Sequence, residues 1–215
     1  MSAYATSRRP RSAKIVATVG GVPVPVGDVD AREADLRGSR LAAALPRAGT
    51  SEGRQLRRWL AQLAVTERVV AAEAAALGIT GDAAPAEDDV LPDMTARLEI
   101  GSVAASALAD PLARALFAYL TGAVDVADQE VADYHARNPL RFAARQADRN
   151  GWRTTTSTAP SLDEVRSTIT DHLRAAARRR AFRVWLDARR AALVELAPGY
   201  EHPGDPRQPD NTHKH

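Results

Sequence analysis

Apolar side chains recur at three- and four-residue spacing between Ser51 and Leu77, through Leu56, Trp59, Leu60, Leu63, Val69, Val70 and Ala76. One face of an α-helix repeats in this way, because residues three and four apart stack on successive turns. Arg54, Arg57, Arg58, Glu67 and Arg68 fall between them and are expected on the opposite, polar face. Gly78 stands where such a helix stops, since glycine takes the left-handed conformation without a Cβ penalty. A second long helix is predicted from Ser161, with Val165, Ile169, Leu173, Ala176, Phe182, Trp185 and Leu186 on its buried side. Ser161-Leu162-Asp163-Glu164 has the form of a capping box at its start.

Shorter patterns fill in the rest. Ile15 to Val26 reads as two short strands around Gly20-Gly21, the second an edge because Pro23 and Pro25 lack amide donors. A helix is expected from Gly27-Asp28 to about Leu45, capped by Asp28 or Asp30. Residues 79–90 read as a polar connection, and helices follow at about 91–109 and 111–122, with Pro111 at a helix start. Val124 to Val131 leads into a helix ending near Asn138-Pro139. Residues 143–160 read as a polar loop, and 192–196 as a short strand. The expected fold class is therefore mainly α, with a short N-terminal β-hairpin and a short C-terminal strand. Residues 1–13 are expected to be disordered, 14–197 to form one helical domain, and 198–215 to form a tail.

Hydrophobic residues make up 45% of the chain but aromatics only 5%, which suits closely packed helices of small side chains. Charged residues are 26% with a formal net charge of +2, too small a bias for a nucleic-acid footprint, so no nucleic-acid partner is expected. The absence of cysteine excludes disulfides, thiolate metal sites and iron–sulfur ligation. The basic stretch to Lys14 leads into no apolar targeting segment, and no apolar run spans a bilayer; a soluble, cytoplasmic protein without a membrane partner is expected. No phosphate loop or dinucleotide fingerprint occurs, so no nucleotide cofactor is expected.

Candidate chemistry concentrates in the tail, which holds three of the five histidines. In an extended segment residues two apart share a side, so His213 and His215 are expected to be able to grip one ion together. His202, with Glu201, Asp205 or Asp210, can complete a coordination shell when the chain folds back, and Pro203, Pro206 and Pro209 lower the entropy lost in doing so. Such a donor set suits Zn, Fe, Cu, Ni or Mn, so a divalent transition metal is the one cofactor expected. A solvated tail that binds metal only adventitiously is the plainer reading. His135, beside Tyr134, is either a helix-end packing residue or a group that faces the tail. His172 is expected on a solvated helix face. Arg174, Arg178, Arg179, Arg180, Arg183, Arg189 and Arg190 are expected in solvent, on a helix that buries Phe182 and Trp185. Trp59 fits the core stripe of its helix. Trp152 can line a pocket, and Tyr200 can pin the tail to the body.

Three segments carry a resemblance. VATVGGVPVPVGDVDAR (residues 16–32) resembles the start of SurA/PrsA-type foldases. VADQEVADYHARNPLRF (126–142) resembles the segment that precedes their parvulin domain, and residues 161–196 resemble their returning helix and final strand. The pieces span most of residues 15–196 in the family's order. The resemblance implies a helical chaperone-like module. Only the loop between Phe142 and Ser161 stands where the family inserts its prolyl isomerase, and it is far shorter than such a domain, so no isomerase active-site residue is carried over. The expected partners are an apolar peptide or a small-molecule pathway intermediate, and a carrier protein is an anionic partner that the arginine helix with its interleaved Phe182 and Trp185 would suit. The chain is also similar to actinobacterial natural-product cluster proteins with histidine tails, some labelled acyl-carrier transacylases. No Gly-x-Ser-x-Gly elbow supports that acyl transfer. Two expectations follow: a chaperone-like or ligand-binding protein with a metal-binding tail, or a metal-dependent isomerase, cyclase or oxidative enzyme of natural-product biosynthesis using His202, His213 and His215.

Overall fold

The computed structural model describes residues 14–142 and 159–201. The described chain is mainly helical, with one small antiparallel sheet. It divides into two compact units, one containing the residues up to Gly78 and those from Asp187 onward, the other Ile79–Leu186. The predicted 143–160 loop lies outside the described residues except for its last two positions.

In the first unit β1 (Ile15–Val19) and β2 (Val22–Pro25) form the expected hairpin. Its turn needs two successive residues with positive φ, and Gly20 and Gly21 supply them at 56° and 81°. β3 (Val194–Leu196) pairs with β1, giving the order β2-β1-β3 and leaving the proline-bearing strand at an edge. Val16 and Val24 are buried between the sheet and its neighbours.

α1 (Val26–Gly38) follows β2 at once, with no side-chain cap at its start. Neither Asp28 nor Asp30 caps it. Asp28 lies in the first turn and pairs with Arg68 at 3.0 Å, while Asp30 pairs with Arg57. The helix stops at Gly38 rather than near Leu45, because the Ser39 hydroxyl and amide both turn back to the Leu36 carbonyl. The 3₁₀ turn Ala42–Ala44 that follows is exposed and has no apolar face on which to prolong a helix.

α2 (Ser51–Leu77) has the predicted bounds. The Thr50 hydroxyl accepts the Gly53 amide at 3.1 Å, and Gly78 closes the helix in the left-handed conformation. Its buried surface is broader than the predicted stripe, taking in Gln62, Val65 and Thr66, while Ala76 is exposed. Arg58, expected on the polar face, is only 5% exposed, because the helix buries more than one side and the arginine stem packs as apolar surface.

The second unit holds α3 (Glu87–Val90), α4 (Met94–Ile100), α5 (Ser102–Ala107), α6 (Pro111–Thr121), α7 (Asp128–Arg137) and most of α8 (Leu162–Leu193). Gly101, at φ 90°, breaks the single helix expected over 91–109 into α4 and α5. Asp93 caps α4 and Asp110 caps α6, the latter with Pro111 in the first turn as expected. At α8 the Glu164 carboxylate accepts both the Ser161 amide and its hydroxyl, at 2.7 and 2.8 Å. Val131, Val165 and Ile169 form one core cluster, flanked by Tyr134, Phe142 and Leu173. Phe117 meets Phe182 edge-on at 5.3 Å, and Phe182 packs against Trp185 at 5.4 Å. No helix among the described residues is long and apolar enough to cross a membrane.

Candidate functional site

On α8, Asp171, Arg174, Ala175 and Arg178 fall at i, i+3, i+4 and i+7, so they share one helical face. That face forms one wall of a cavity of about 310 Å³ within the second unit. α6 supplies Phe117 and Ala118, α3 supplies Asp89 and Val90, and Pro85 and Arg179 complete the lining. Phe117 and Val90 are almost fully buried and give the cavity an apolar floor. Ala118 and Ala175 contribute only a methyl group each, which leaves the space unfilled by protein.

The charges around this space are ordered. The Arg174 Nε donates to Asp125 and its Nη1 to Asp171, both at 3.0 Å. The Val126 amide and then Arg174 hold the Asp125 carboxyl below its ordinary range. Arg179 donates through Nε and Nη2 to one Glu99 oxygen, at 3.0 and 2.8 Å. Asp89 accepts the Ala86 amide at 3.1 Å and so closes the start of α3. Arg178 differs from these: its Nη2 makes one long contact, 3.4 Å, to the Gly122 carbonyl, and its buried Nε has no acceptor.

Arg179 is 5% exposed and Arg174, Arg178, Arg189 and Arg190 are partly buried, so for these the expectation of an arginine face in solvent is corrected, while Arg180 and Arg183 are exposed as expected. The helix is flanked by acidic residues from α4 and from the segment before α7, and it pairs with them. The expectation for His172 is corrected as well. Its ring packs between Tyr134 and Phe142, at 5.7 and 5.9 Å between centroids, and its Nε2 lies 3.4 Å from the Tyr134 hydroxyl. Burial, and then the Arg141 charge, push its pKa below the ordinary value. His135 is a helix-end residue whose Nε2 lies 2.9 Å from the Pro160 carbonyl oxygen.

In the first unit, Tyr200 is tied to α2, where the Gln62 side-chain amide donates to its carbonyl at 2.6 Å. Gln62 also accepts from Arg190, which donates to the Thr66 hydroxyl too. Burial lowers the pKa of Arg190. Sequence reasoning passed over this polar cluster, although Gln62 and Thr66 stand four apart inside the apolar stripe of α2. The Glu201 carboxylate folds back on the Gly199 amide, at 3.0 and 3.2 Å. His202, Asp205, His213, His215 and Trp152 lie outside the described residues. Among the described residues no group of three or more histidine and carboxylate side chains is placed to hold a metal ion.

Residues 15–52 match a family of unknown function, DUF7158. The matched stretch takes in the hairpin, α1, the 3₁₀ turn and the first residues of α2. No curated protein and no solved structure matches the chain.

Proposed function

We propose that this chain is a binding protein of chaperone-like character. It holds an apolar group in the cavity between α3, α6 and α8: a side chain of an extended peptide, or the body of a small pathway intermediate. The observation that carries the reading is the cavity itself, with a floor of Phe117 and Val90, two alanines that leave it open, and a few charged groups from α3 and α8 in its lining. A concave, largely apolar space with a few convergent polar groups is the usual form of a ligand site. The SurA/PrsA-like order of hairpin, long helix, acidic-start helix and returning helix adds support, since those modules cradle clients without chemistry.

The test uses N-phenyl-1-naphthylamine, a neutral apolar fluorophore. Saturable enhancement with the wild-type chain, lost in Ala118→Trp, is the expected result. Ala118 is exposed, so the indole enters the cavity mouth without disturbing the core. Circular dichroism confirms that the variant folds. Enhancement unchanged by Ala118→Trp would remove the reading.

A further inference from the structure

We infer that the ligand of this cavity carries an anionic group, a carboxylate, sulfonate or phosphate, which binds the guanidinium of Arg178. The inference rests on the cavity-binding reading above and names the chemistry of its ligand. Three arginines line the space, and two of them already have carboxylate partners: Arg174 with Asp125 and Asp171, Arg179 with Glu99. Among the described residues no carboxylate lies at ion-pair distance from Arg178. Asp125 feels its charge but is bonded to Arg174.

A guanidinium presents five N–H donors in a planar fork and stays charged at any physiological pH. In Arg178 one of those donors makes a long contact to a carbonyl, and the buried Nε makes none. The Nε is closed to solvent, so the Nη groups, one of them holding only that long contact, are the donors left for an acceptor from outside. An anion fits best, because a charge-assisted, bidentate pair is stronger than a bond to a neutral acceptor. The apolar side of the cavity lowers the local dielectric and strengthens that pair further. The two acidic groups in the lining do not oppose it equally. Asp171 is paired with Arg174, and Asp89 is engaged by the Ala86 amide. The ligand is therefore expected to lie with its apolar body on Phe117 and Val90 and its anion toward Arg178.

The test compares two probes with the same aromatic body. N-phenyl-1-naphthylamine is neutral, and 8-anilinonaphthalene-1-sulfonate carries an anion. With the wild-type chain the sulfonate is expected to bind at least about tenfold more tightly, with an affinity that falls as salt rises. Arg178→Gln removes that advantage, bringing the sulfonate down to the affinity of the neutral probe. Arg178→Lys keeps part of it, since the charge remains but the fork is lost. Arg180→Gln, at an exposed position outside the cavity, changes neither probe. Equal affinity for both probes, or a sulfonate advantage that survives Arg178→Gln, would overturn the inference while Ala118→Trp still blocks the neutral probe. If Ala118→Trp affects neither probe, the cavity reading itself is removed.

Discussion

Arg179 and Glu99 form a one-sided fork: two nitrogens of a guanidinium only 6% exposed donate to a single oxygen of a carboxylate that is 41% exposed. The buried partner bears the larger cost if the pair is broken, because its charge then has no counter-ion. Glu99→Gln is expected to lower the unfolding free energy by about 1–3 kcal/mol, the penalty for an under-satisfied buried group. The double variant Glu99→Gln, Arg179→Leu is expected to recover part of that loss. Urea denaturation of the two variants measures both, and a double variant no more stable than Glu99→Gln would refute the account.

His172 is expected to make the fold sensitive to mild acid. Its pKa is lowered in the folded chain by burial and by Arg141, relative to an ordinary value of 6.5. The unfolded chain therefore takes up the proton first as pH falls, and protonation favours unfolding. The stabilisation from the neutral ring is complete above about pH 6.5 and is lost as pH drops from there toward the folded-state pKa. Unfolding free energies of wild type and His172→Phe, compared at pH 7.5 and 5.0, are expected to diverge, with the wild type losing more. Parallel losses would show that other groups set the dependence.

Gly53 is expected to resist the usual gain from replacing glycine in a helix. Alanine is intrinsically better there by about 0.5–1 kcal/mol. A Cβ at this position, however, would lie only 2.3 Å from the Arg47 carbonyl oxygen, which the Thr50 hydroxyl also holds at 2.9 Å. Gly53→Ala is therefore expected to destabilise by about 1–3 kcal/mol, the range for forced overpacking. A rise in melting temperature would contradict this.

The tail carries its own proposal, a divalent-metal site built on His202, His213 and His215. A chain ending at Glu201 keeps the Gln62–Tyr200 bond and removes every tail histidine. Full-length protein purified without nickel is expected to hold about one equivalent of a single metal by elemental analysis, and the shortened chain none. Absence of metal from both, after incubation with Zn, Fe, Cu, Ni and Mn, would end that proposal.

α2 was readable because an apolar stripe and the Gly78 stop agree there, although the Thr50 cap that fixes its start went unread. The end of α1 was not, since a Ser39 hydroxyl bonding back to Leu36 gives no periodic mark. Burial of charged groups was hidden for a different reason. Arg179 and Glu99 stand 80 residues apart, and Tyr134 and His172 stand 38 apart, so nothing local distinguishes them from a solvated face. The cavity wall was half legible. The spacing of Asp171, Arg174, Ala175 and Arg178 marks one face, but only the fold shows that α3 and α6 stand around it.

The pairing of β1 with β3 joins Thr18 to Glu195, 177 residues later. On the ribosome β1 is made long before β3, so one side of β1 stays unsatisfied until Val194–Leu196 follow. During that interval β1 is an open template for strands from other nascent chains. Among the described residues its mate on that side is β3, which follows α8. Expression yield is therefore expected to depend on how fast residues 194–196 follow, and on what shelters β1 until they do.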